Sequence, residues 1–377
     1  MGLSGHLHII SFDVPFPANY GGVIDVYYKI LALHKAGIKI HLHCFEYQRK
    51  RSPELNSLCE EVIYYPRASG IKPTLSLTPY IAETRRSETL IQNLLKDDYP
   101  ILFEGLHTCF AIGDSRLRER IRIYRESNIE HHYYYHLFRA EKNVVAKAFF
   151  LTESIKLKFF QHRLKYASVM LTVSENDTRY LQNKFPGKRI IYLPSFHREN
   201  EVKSLPGNGT YALYQANLSV AENTRAAEFL IDKVWTPRLP ELVIAGMNPP
   251  EQLLRMAGEK KNIRMVINPC DEDMYALISQ AHVNIMVTFQ STGLKLKLLN
   301  ALFNGRFCLV NPGMVAGTSL ADLCTVVSKP EEFRLKIDEL FATTFSDNEI
   351  KIRELALQAQ YSNTRNCYLL LDILNLH

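Results

Sequence analysis

Short apolar segments alternate with segments of helical periodicity along the whole chain, and this alternation is what most restricts its fold. The first repeat consists of an apolar run over residues 6–14, a breaker-rich loop ending in Gly21 and Gly22, and a helical pattern over residues 23–35. Apolar runs bounded by turn residues predict buried strands, whereas apolar residues three and four positions apart predict a helix. Strands that alternate with helices form parallel sheets covered by helices. The sequence therefore predicts an α/β protein.

The alternation runs through the chain twice. The other predicted strands are residues 38–45, 62–65, 101–103, 121–124 and 169–173, and then residues 211–215, 242–245, 263–266, 283–287 and 307–310. Residues 195–209 are polar and carry Pro and Gly, which predicts a linker. The 377 residues also exceed the size of about 250–300 residues at which one core stops growing. We expect Rossmann-like domains over residues 1–194 and 210–346, with parallel sheets facing a central cleft, and C-terminal helices over residues 347–377 that can cross back to the first domain.

Composition and charge restrict the class of protein further. With 46% hydrophobic and 22% charged residues, the chain has the composition of a folded globular protein. No run of about 18 uninterrupted apolar residues occurs, the start lacks a basic segment before an apolar one, and the seven cysteines form no Cys-x-x-Cys pair. We therefore expect a cytoplasmic protein with reduced thiols. Aromatic and basic residues are not interleaved as in nucleic-acid-binding surfaces, so we expect no nucleic-acid partner.

Two motifs in the first half place candidate site residues after predicted strands. The segment Phe103-Glu104-Gly105-Leu106-His107 follows one strand, and Arg125-Glu126-Ser127-Asn128-Ile129-Glu130-His131 follows the next. A histidine at a strand's carboxyl end can exchange hydrogen bonds and protons with a substrate, although a structural role is the alternative. The glycine loop before residue 23 can bring backbone N–H groups to an anion, or be an ordinary loop. The cluster from His131 to His136 is either an acceptor pocket or the buried start of a helix.

Two motifs in the second half suggest a site for a nucleotide. In Gln215-Ala216-Asn217-Leu218-Ser219, Asn217 can contact a ligand, and the following Asn223 is predicted to be a helix N-cap. In the run over residues 291–306, Lys295 and Lys297 lie near a predicted helix N-terminus, where helix dipole and ammonium groups both favour a diphosphate. The alternative is an amphipathic core helix with solvated lysines. Asp271-Glu272-Asp273 opens another predicted helix, which we favour over a metal clamp.

Together with the glycine loop, these four motifs resemble the retaining glycosyltransferases of family 4, whose two-lobed architecture is called GT-B. Family members carry a similar glycine loop, Glu-Gly-x-His and Arg-x-x-Asn-Ile-Glu-His steps, and a Gly-x-x-x-Lys-x-x-Glu-Ala-x-x-x-Gly-Arg helix. The resemblance implies metal-independent transfer of a hexosyl unit from a nucleotide diphosphate sugar, with retention of configuration and no protein nucleophile. It implies no further cofactor. The implied acceptor is a saccharide or a lipid-linked saccharide, in the synthesis of a cell-surface polysaccharide.

The resemblance also implies roles for individual residues. His107 would contact the reacting sugar, Lys295 or Lys297 the diphosphate, and Asn300 the ribose. The other implied donor-binding residues are Gly21, Gly22, Asn217, Thr292 and Gly293, and the implied acceptor-side residues are Asn128, Glu130 and His131.

The sequence departs from the family pattern at Thr292 and Asn300, which stand where many members have two glutamates, and at Gln161, which replaces a third. An asparagine can still bind a diol, but without the charge that strengthens the bond. A catalytically silent sugar-binding paralogue is therefore one alternative. A nucleotide-sugar 2-epimerase of the same fold is another, and its acid/base carboxylates would be Asp13 and Glu104.

A membrane partner is suggested by the distribution of charge. Residues 1–194 hold 27 Lys and Arg against 19 Asp and Glu, and residues 137–166 form a helix-like stretch in which basic and apolar residues are mixed. Such a stretch can lie on an anionic membrane, which would make the protein peripheral on the inner face of the membrane. The alternative is a core helix with a solvated basic face.

Overall fold

The structure is a computed structural model that describes residues 5–289 and 295–374. It divides into two compact units, which are described separately. The first takes the described residues up to Arg198 and from Gln360 onward, and the second takes those between Glu199 and Ala359.

The first unit is built on a sheet of seven parallel strands, in the spatial order β3-β2-β1-β4-β5-β6-β7. Its strands are β1 (His6–Ser11), β2 (Lys39–Glu46), β3 (Glu61–Pro66), β4 (Ile101–Glu104), β5 (Arg122–Arg125), β6 (Val169–Thr172) and β7 (Arg189–Tyr192). The chain moves from β1 to one edge and then returns to build the other, which is the doubly wound order. All these strands except β7 lie where the sequence predicted them.

The helices of the first unit cover both faces of this sheet. They are α1 (Gly21–Lys35), α2 (Pro53–Asn56), α3 (Tyr80–Glu83), α4 (Glu88–Leu94), α5 (Glu130–Ala140), α6 (Val144–Phe160) and α7 (Glu175–Lys184), with 3-10 turns at Lys72–Leu75, Leu106–Thr108, Ala111–Gly113, Ser115–Leu117 and Gln161–Tyr166. Side chains alternate along each strand, so that Leu7 and Ile9 join one buried apolar cluster and Ile10 joins another. The unit thus has one core on each face of its sheet.

The second unit is a sheet of six parallel strands in the order β10-β9-β8-β11-β12-β13. These strands are β8 (Tyr211–Asn217), β9 (Glu241–Met247), β10 (Ile263–Ile267), β11 (Val283–Met286), β12 (Phe307–Val310) and β13 (Thr325–Val326). Its helices are α8 (Ala221–Phe229), α9 (Glu251–Gly258), α10 (Asp271–Gln280), α11 (Leu296–Asn304), α12 (Pro312–Val315), α13 (Pro330–Phe341) and α14 (Asp347–Tyr361), with a π turn at Leu230–Val234 and a 3-10 turn at Ala321–Leu323. The prediction of an α/β protein with two parallel sheets is confirmed.

The last helix, α15 (Asn363–Leu374), belongs to the first unit. Cys367, Leu370 and Leu371 are buried in the same apolar cluster as Val26 and Ile30 of α1. The C-terminal segment therefore completes a core that the first residues of the chain begin.

Two local predictions are wrong. Asn223 is not an N-cap, because Val220 is already followed by helical backbone and α8 begins at Ala221. The basic stretch over residues 137–166 is not one helix. It breaks at residues 141–143, where Glu141 is extended and the side chain of Asn143 accepts hydrogen bonds from two N–H groups of the first turn of α6. Across residues 5–289 and 295–374, no helix has the length and apolar character that crossing a membrane requires.

Candidate active site

In the first unit, the carboxyl ends of β1, β4 and β5 bring together His107, Phe12 and Glu130. Gly105 has a φ of 68°, a left-handed conformation that glycine adopts without strain, and it turns the chain sharply after β4. His107 follows in the next turn, with its ring centroid 5.1 Å from that of Phe12. Its Nδ1 lies 3.8 Å from Oε1 of Glu130, the first residue of α5. The structure thus places together two residues that the sequence assigned separately to chemistry and to acceptor binding.

Burial controls the protonation of this pair. It raises the pKa of Glu130 to about 7, against the opposing effects of Ser127 and Arg85. It also holds the pKa of His107 well below the usual value, with further lowering by the charges of Arg85 and Arg67. His107 is therefore a neutral imidazole at neutral pH. Its Nδ1 is buried and has no hydrogen-bond partner among the described residues.

The glycine loop lies beside this pair. Gly21 is the first residue of α1, whose N-terminus has no side-chain cap. A Cβ atom on Gly22 would lie 2.7 Å from Cζ of Phe12, so only glycine lets the loop pass this ring. An open cavity of about 400 Å³ adjoins the loop and is lined by Phe16, Pro17 and residues 49–54.

The remaining acceptor-side candidates lie where β5 leads into α5. Asn128 is partly buried in this connection, and His131 is buried in the first turn of α5 with its Nε2 3.4 Å from the Tyr180 hydroxyl. Burial lowers the pKa of His131 to about 3. The cluster from His131 to His136 was interpreted either as an acceptor pocket or as the buried start of a helix. The position of His131 fits the buried start of a helix. Gln161 is also structural, since its Oε1 accepts hydrogen bonds from Tyr180 and Lys184.

The two carboxylates considered for an epimerase both have partners within the fold. Glu104 is buried and accepts a 2.6 Å hydrogen bond from the ammonium of Lys29. Asp13 accepts hydrogen bonds from the Val14 N–H and the Tyr20 hydroxyl. Glu104 is therefore not available as an acid or base at an open site.

In the second unit, Lys297 lies in the first turn of α11. Its Nζ is 5.8 Å from the centroid of the Tyr214 ring, and no described carboxylate forms an ion pair with it. Burial and the charge of Lys295 lower the pKa of Lys297 to about 8, against the attraction of Glu222. Lys295 itself is the residue that precedes the helix, and its carbonyl oxygen accepts a bond from the Leu298 N–H. Both lysines thus lie at the helix N-terminus, as predicted.

A hydrogen-bond network joins the neighbouring strand ends of this unit. The Thr288 hydroxyl, just after β11, donates to Oε1 of Glu222 at 2.5 Å, and the Phe289 N–H donates to the same oxygen. Asn311, just after β12, bonds the Thr288 backbone in both directions. Glu222 is thereby fixed at the start of α8. The sequence analysis missed these residues; the only signal was an acidic residue in the first turn of a helix.

The other donor-side candidates are distributed around these elements. Asn217 closes the turn after β8 by accepting hydrogen bonds from the N–H and hydroxyl of Ser219. Asn223 donates to the Asn217 carbonyl instead of capping the helix. Asn300 accepts a 2.8 Å hydrogen bond from Nδ2 of Asn304. This contact was not predicted from the sequence. Thr292 and Gly293 lie outside the described residues.

The acidic run Asp271-Glu272-Asp273 forms the first turn of α10. The backbone N–H of Asp273 donates to the sulfur of Cys270, the capping residue. The prediction that this run opens a helix is confirmed.

Two doubly wound parallel sheets in one chain define the GT-B fold of nucleotide-sugar glycosyltransferases. The chain is similar in structure to sucrose-phosphate synthase of Thermosynechococcus elongatus, with a TM-score of 0.68 and 14% identity over 98% of each chain. It is also similar to HepE of Anabaena, solved with UDP-glucose (TM-score 0.65, 11% identity, 98% of this chain and 99% of HepE), and to trehalose-6-phosphate synthase OtsA (TM-score 0.62, 11% identity, 99% of each chain). At these identities, the likeness shows the fold.

In sequence, the chain is 24% identical to an uncharacterized 44.6 kDa protein in the cps region of Klebsiella pneumoniae, over 93% of each protein. No protein-family model matches the chain.

Proposed function

We propose that the protein is a glycosyltransferase that moves a sugar from a nucleotide diphosphate sugar to a saccharide or lipid-linked acceptor. The second unit holds the donor, and the first unit holds the acceptor. The observation that carries this proposal is Lys297, whose partly buried side chain lies in the first turn of a helix and has no ion-pair partner among the described residues.

The physical reason is the cost of burying a charge. An ammonium group that leaves water loses several kcal/mol of hydration unless an anion replaces it. The first turn of α11 adds unpaired N–H groups and the positive end of a helix dipole, both of which favour an anion. A diphosphate meets both requirements. The ribose would then lie toward Asn300, one turn further along the same helix.

The finer features rest on the family 4 resemblance and on the relatives. The resemblance supports retention of configuration and a reaction without a metal, in which Lys297 and the helix N-terminus stabilise the leaving diphosphate. Neutral His107 would donate a hydrogen bond to the reacting sugar. The UDP-glucose complex of HepE supports a nucleotide-sugar donor, and the cps-region relative supports a role in polysaccharide synthesis.

Donor binding is tested by thermal denaturation in the presence of UDP, GDP, ADP and dTDP and their sugars. A nucleotide at 100 times its Kd should stabilise the protein by about 2.7 kcal/mol. We expect one base to stand out, and its effect to disappear in Lys297→Met. A nucleotide that stabilises wild type and Lys297→Met equally would contradict the donor site.

Catalysis is tested by incubating the protein with the selected sugar nucleotide and following its products. Transfer or slow hydrolysis supports the proposal, epimerised donor supports the epimerase, and binding without turnover supports the silent paralogue. Turnover should persist in EDTA. His107→Ala should remove turnover without weakening nucleotide binding.

We further propose that the protein associates with the inner face of the membrane through the first unit. Three leucine and isoleucine side chains project from one loop, because Ile71, Leu75 and Leu77 are 79, 80 and 94% exposed. This loop packs beside α6, since Lys156 of that helix donates to the Thr74 carbonyl. On α6, Val144, Val145, Ile155 and Phe159 are also exposed.

Cations lie close in the chain to these apolar residues. Exposed basic residues near it in the chain are Lys72, Arg139, Lys142 and Lys158. Apolar side chains that insert among headgroups, together with cations that attract anionic lipids at about 1 kcal/mol each, describe an interfacial membrane anchor. The loop from Ile71 to Leu77 was not identified from the sequence.

The membrane surface is tested by sedimentation with anionic and neutral vesicles at low and high salt. We expect binding to anionic vesicles that weakens near 0.5 M salt, because ions screen the attraction. The double variant Leu75→Ser with Leu77→Ser should reduce binding to anionic vesicles about tenfold or more, because it removes apolar area that would insert among the headgroups. Leu355→Ser, at an equally exposed position of the second unit, is the control. Equal recovery in the supernatant under all conditions would contradict this proposal alone.

A further inference from the structure

Arg85 is a buried cation whose hydrogen bonds go only to neutral groups. The residue is 5% exposed, and its Nε and Nη1 each donate at 2.7 Å, to the carbonyl oxygens of Phe12 and Ile81. Nη2 donates to no group of the described residues, and none of their carboxylates forms an ion pair with Arg85. Carbonyl oxygens carry only partial charge, so these bonds do not neutralise the guanidinium, and the carboxylates of Asp13 and Glu130 act on it without forming an ion pair. Burial accordingly lowers the pKa of Arg85 to about 9.

Arg67 is a second cation without a carboxylate partner among the described residues; it is partly buried and fixed beside the first. Its Nε donates to the hydroxyl of Thr84, the residue before Arg85, at 3.2 Å. The rings of Tyr47 and Tyr80 lie 4.8 and 5.8 Å from the guanidinium carbon. Among the described residues, its two terminal nitrogens have no hydrogen-bond partner. The aromatic rings therefore hold the guanidinium in place and leave its terminal nitrogens available.

Both arginines lie at the edge of the sheet where ligands bind in open α/β folds. Arg67 directly follows β3, and the Phe12 carbonyl that binds Arg85 directly follows β1. Both guanidinium groups are close enough to His107 to lower its pKa. A third cation, Arg49, follows β2 and donates to the Val14 carbonyl at 2.6 Å.

Other arginines of the same unit show that this arrangement is not general. Arg51 pairs with Glu46, Arg86 with Glu83, and Arg116 with Glu88 and Asp114. Arg122 does bind carbonyl oxygens, but it lies at the opposite end of the sheet, where β5 begins. What distinguishes Arg67 and Arg85 is that two unneutralised guanidinium groups converge on the strand end that carries His107.

We propose that Arg67 and Arg85 form a binding site for an anionic group, a carboxylate or a phosphate, on the acceptor substrate. Calling the ligand an acceptor rests on the proposed function, whereas binding of the anion does not. Each guanidinium presents parallel N–H groups that match the paired oxygens of either anion. The ring of Tyr47, which is half exposed, offers a face for an attached sugar. The acceptor would therefore be an acidic saccharide or a lipid-linked diphosphate.

The proposal is tested by calorimetric titration without any sugar nucleotide, so that catalysis is not required. Methyl glucuronide is compared with methyl glucoside, and farnesyl diphosphate with farnesol. We expect one anionic probe to bind at least tenfold more tightly than its neutral partner. A preference for the glucuronide assigns the carboxylate, and a preference for the diphosphate assigns the lipid-linked acceptor. Equal affinities within both pairs would overturn the proposal.

Three variants assign the binding to this site. Arg67→Gln and Arg85→Gln should each lower the affinity of the preferred probe about tenfold, and Arg67→Gln remains informative if loss of the Phe12 contact unfolds Arg85→Gln. Arg86→Gln, the neighbouring arginine that pairs with Glu83, makes the same charge change and should have no effect. An equal loss in all three variants would overturn the proposal, because it would report only net charge.

The donor site must be excluded as the place where the diphosphate binds. The titration is therefore repeated in Lys297→Met, and unchanged affinity there assigns the probe to the first unit. Loss of affinity in Lys297→Met, with none in Arg67→Gln, would overturn the inference for the diphosphate. As a direct signature, a bound anion should raise the pKa of His107, which NMR of its ring protons measures. If an anionic probe binds but no sugar is ever transferred, the proposed function fails and the anion site stands.

Discussion

A buried cluster of charges in the first unit and a single lysine in the second unit differ in whether the fold neutralises them. In the first unit, Lys29 of α1 binds Glu104 at 2.6 Å and Asp25 at 3.0 Å, and Asp25 also binds Arg125 of β5. Although burial alone would raise it, the pKa of Asp25 is held well below the usual value by Arg125 and Lys29. In the second unit, Lys297 is partly buried and has no ion-pair partner among the described residues. The fold therefore neutralises the first arrangement and leaves the charge of Lys297 without a carboxylate partner among these residues.

This difference separates charges that stabilise the fold from charges that we propose bind a substrate. The first cluster also holds the chain after β7, because Arg125 binds the carbonyl oxygens of Leu193 and Pro194, and Asp25 accepts the Phe196 N–H at 2.7 Å. It thus connects α1, β5 and the segment that leaves the sheet. Lys297, Arg67 and Arg85 form no such ion-pair cluster with the described carboxylates, although Arg85 links the Phe12 and Ile81 carbonyls. We therefore propose that cations without carboxylate partners mark the binding sites of this molecule.

The largest effect is expected from Asp25→Asn, which breaks the complete cluster. It leaves Lys29 and Arg125 buried with only Glu104 to neutralise them, and removing one partner of a buried ion pair costs about 3–5 kcal/mol. Native-state hydrogen exchange should show lost protection in β1, β4 and β5. Lys297→Met, the matched change in the second unit, should leave these strands protected. A loss below about 1 kcal/mol would show that the cluster contributes little to stability.

A smaller effect is expected when acid charges the buried histidines of the first unit. His8 donates to Asp97 and shares a 2.8 Å hydrogen bond with His43, which also binds the Tyr65 hydroxyl. Burial lowers the pKa of His8 to about 4 and holds that of His43 well below the usual value. The unfolded chain, with a histidine pKa of about 6.5, therefore binds more protons than the folded chain over this range. Stability should thus be complete above pH 6.5 and fall as the pH drops toward 4.

We expect a loss of about 2–3 kcal/mol across this range, measured by urea unfolding at each pH. Replacing His8 and His43 together by glutamine should reduce this dependence, because it removes two histidines with lowered pKa values while His107 and His131 remain. An unchanged slope in that variant would assign the acid sensitivity to other groups.

The sequence identified most of the fold because the signal for a buried parallel strand is local. Strands β7 and β13 were missed since β7 is a short, partly exposed edge strand and β13 has two residues. The N-cap was misplaced because Asn223 resembles a capping residue, whereas the backbone conformation of Val220 decides where α8 begins. Local chemistry alone does not fix such a boundary.

The candidate site was predicted only where one motif carries it. Lys297 was found because it lies at the start of a recognisable helix. Arg67 and Arg85 gave no signal, because their partners, Thr84 and the Phe12 carbonyl, are distant in the chain or ordinary backbone. Whether an arginine is neutralised depends on which carboxylates the fold brings near it, and a single sequence does not contain that information.

The next largest effect concerns Lys297, the cation of the second unit that has no ion-pair partner among the described residues. Lys297→Met should weaken binding of UDP, or of the nucleotide that the screen selects, by about 1.5–3 kcal/mol, the usual contribution of a charged hydrogen bond. It should not lower the free energy of unfolding, because no fold partner is lost. Calorimetric titration and urea unfolding of the same variant measure the two quantities. A variant that unfolds easily but binds normally would reverse the comparison between the units.

The pKa of Lys297 predicts how nucleotide affinity should change with pH. The ammonium form binds the diphosphate, and the pKa of Lys297 is lowered to about 8 by burial and Lys295. Affinity should therefore be constant below pH 7 and fall as the pH rises through 8. Lys297→Arg should bind without this decline, because arginine stays charged.

The smallest effect is expected from Asn300→Glu, which adds the charge that the family pattern has at this position. Asn300 lies one turn after Lys297 on α11, and its side-chain oxygen already accepts a hydrogen bond from Asn304. A glutamate can keep that bond and offer a charged second oxygen to a ribose diol, so binding should tighten by about 1 kcal/mol. Asn348→Asp is the control, since it adds one negative charge at an exposed position of α14 and should not tighten binding. Titration of both variants measures the difference. Weaker binding in a folded Asn300→Glu would mean that the second unit holds its nucleotide through an asparagine-based arrangement, and that the departure from the family pattern reflects a remodelled site.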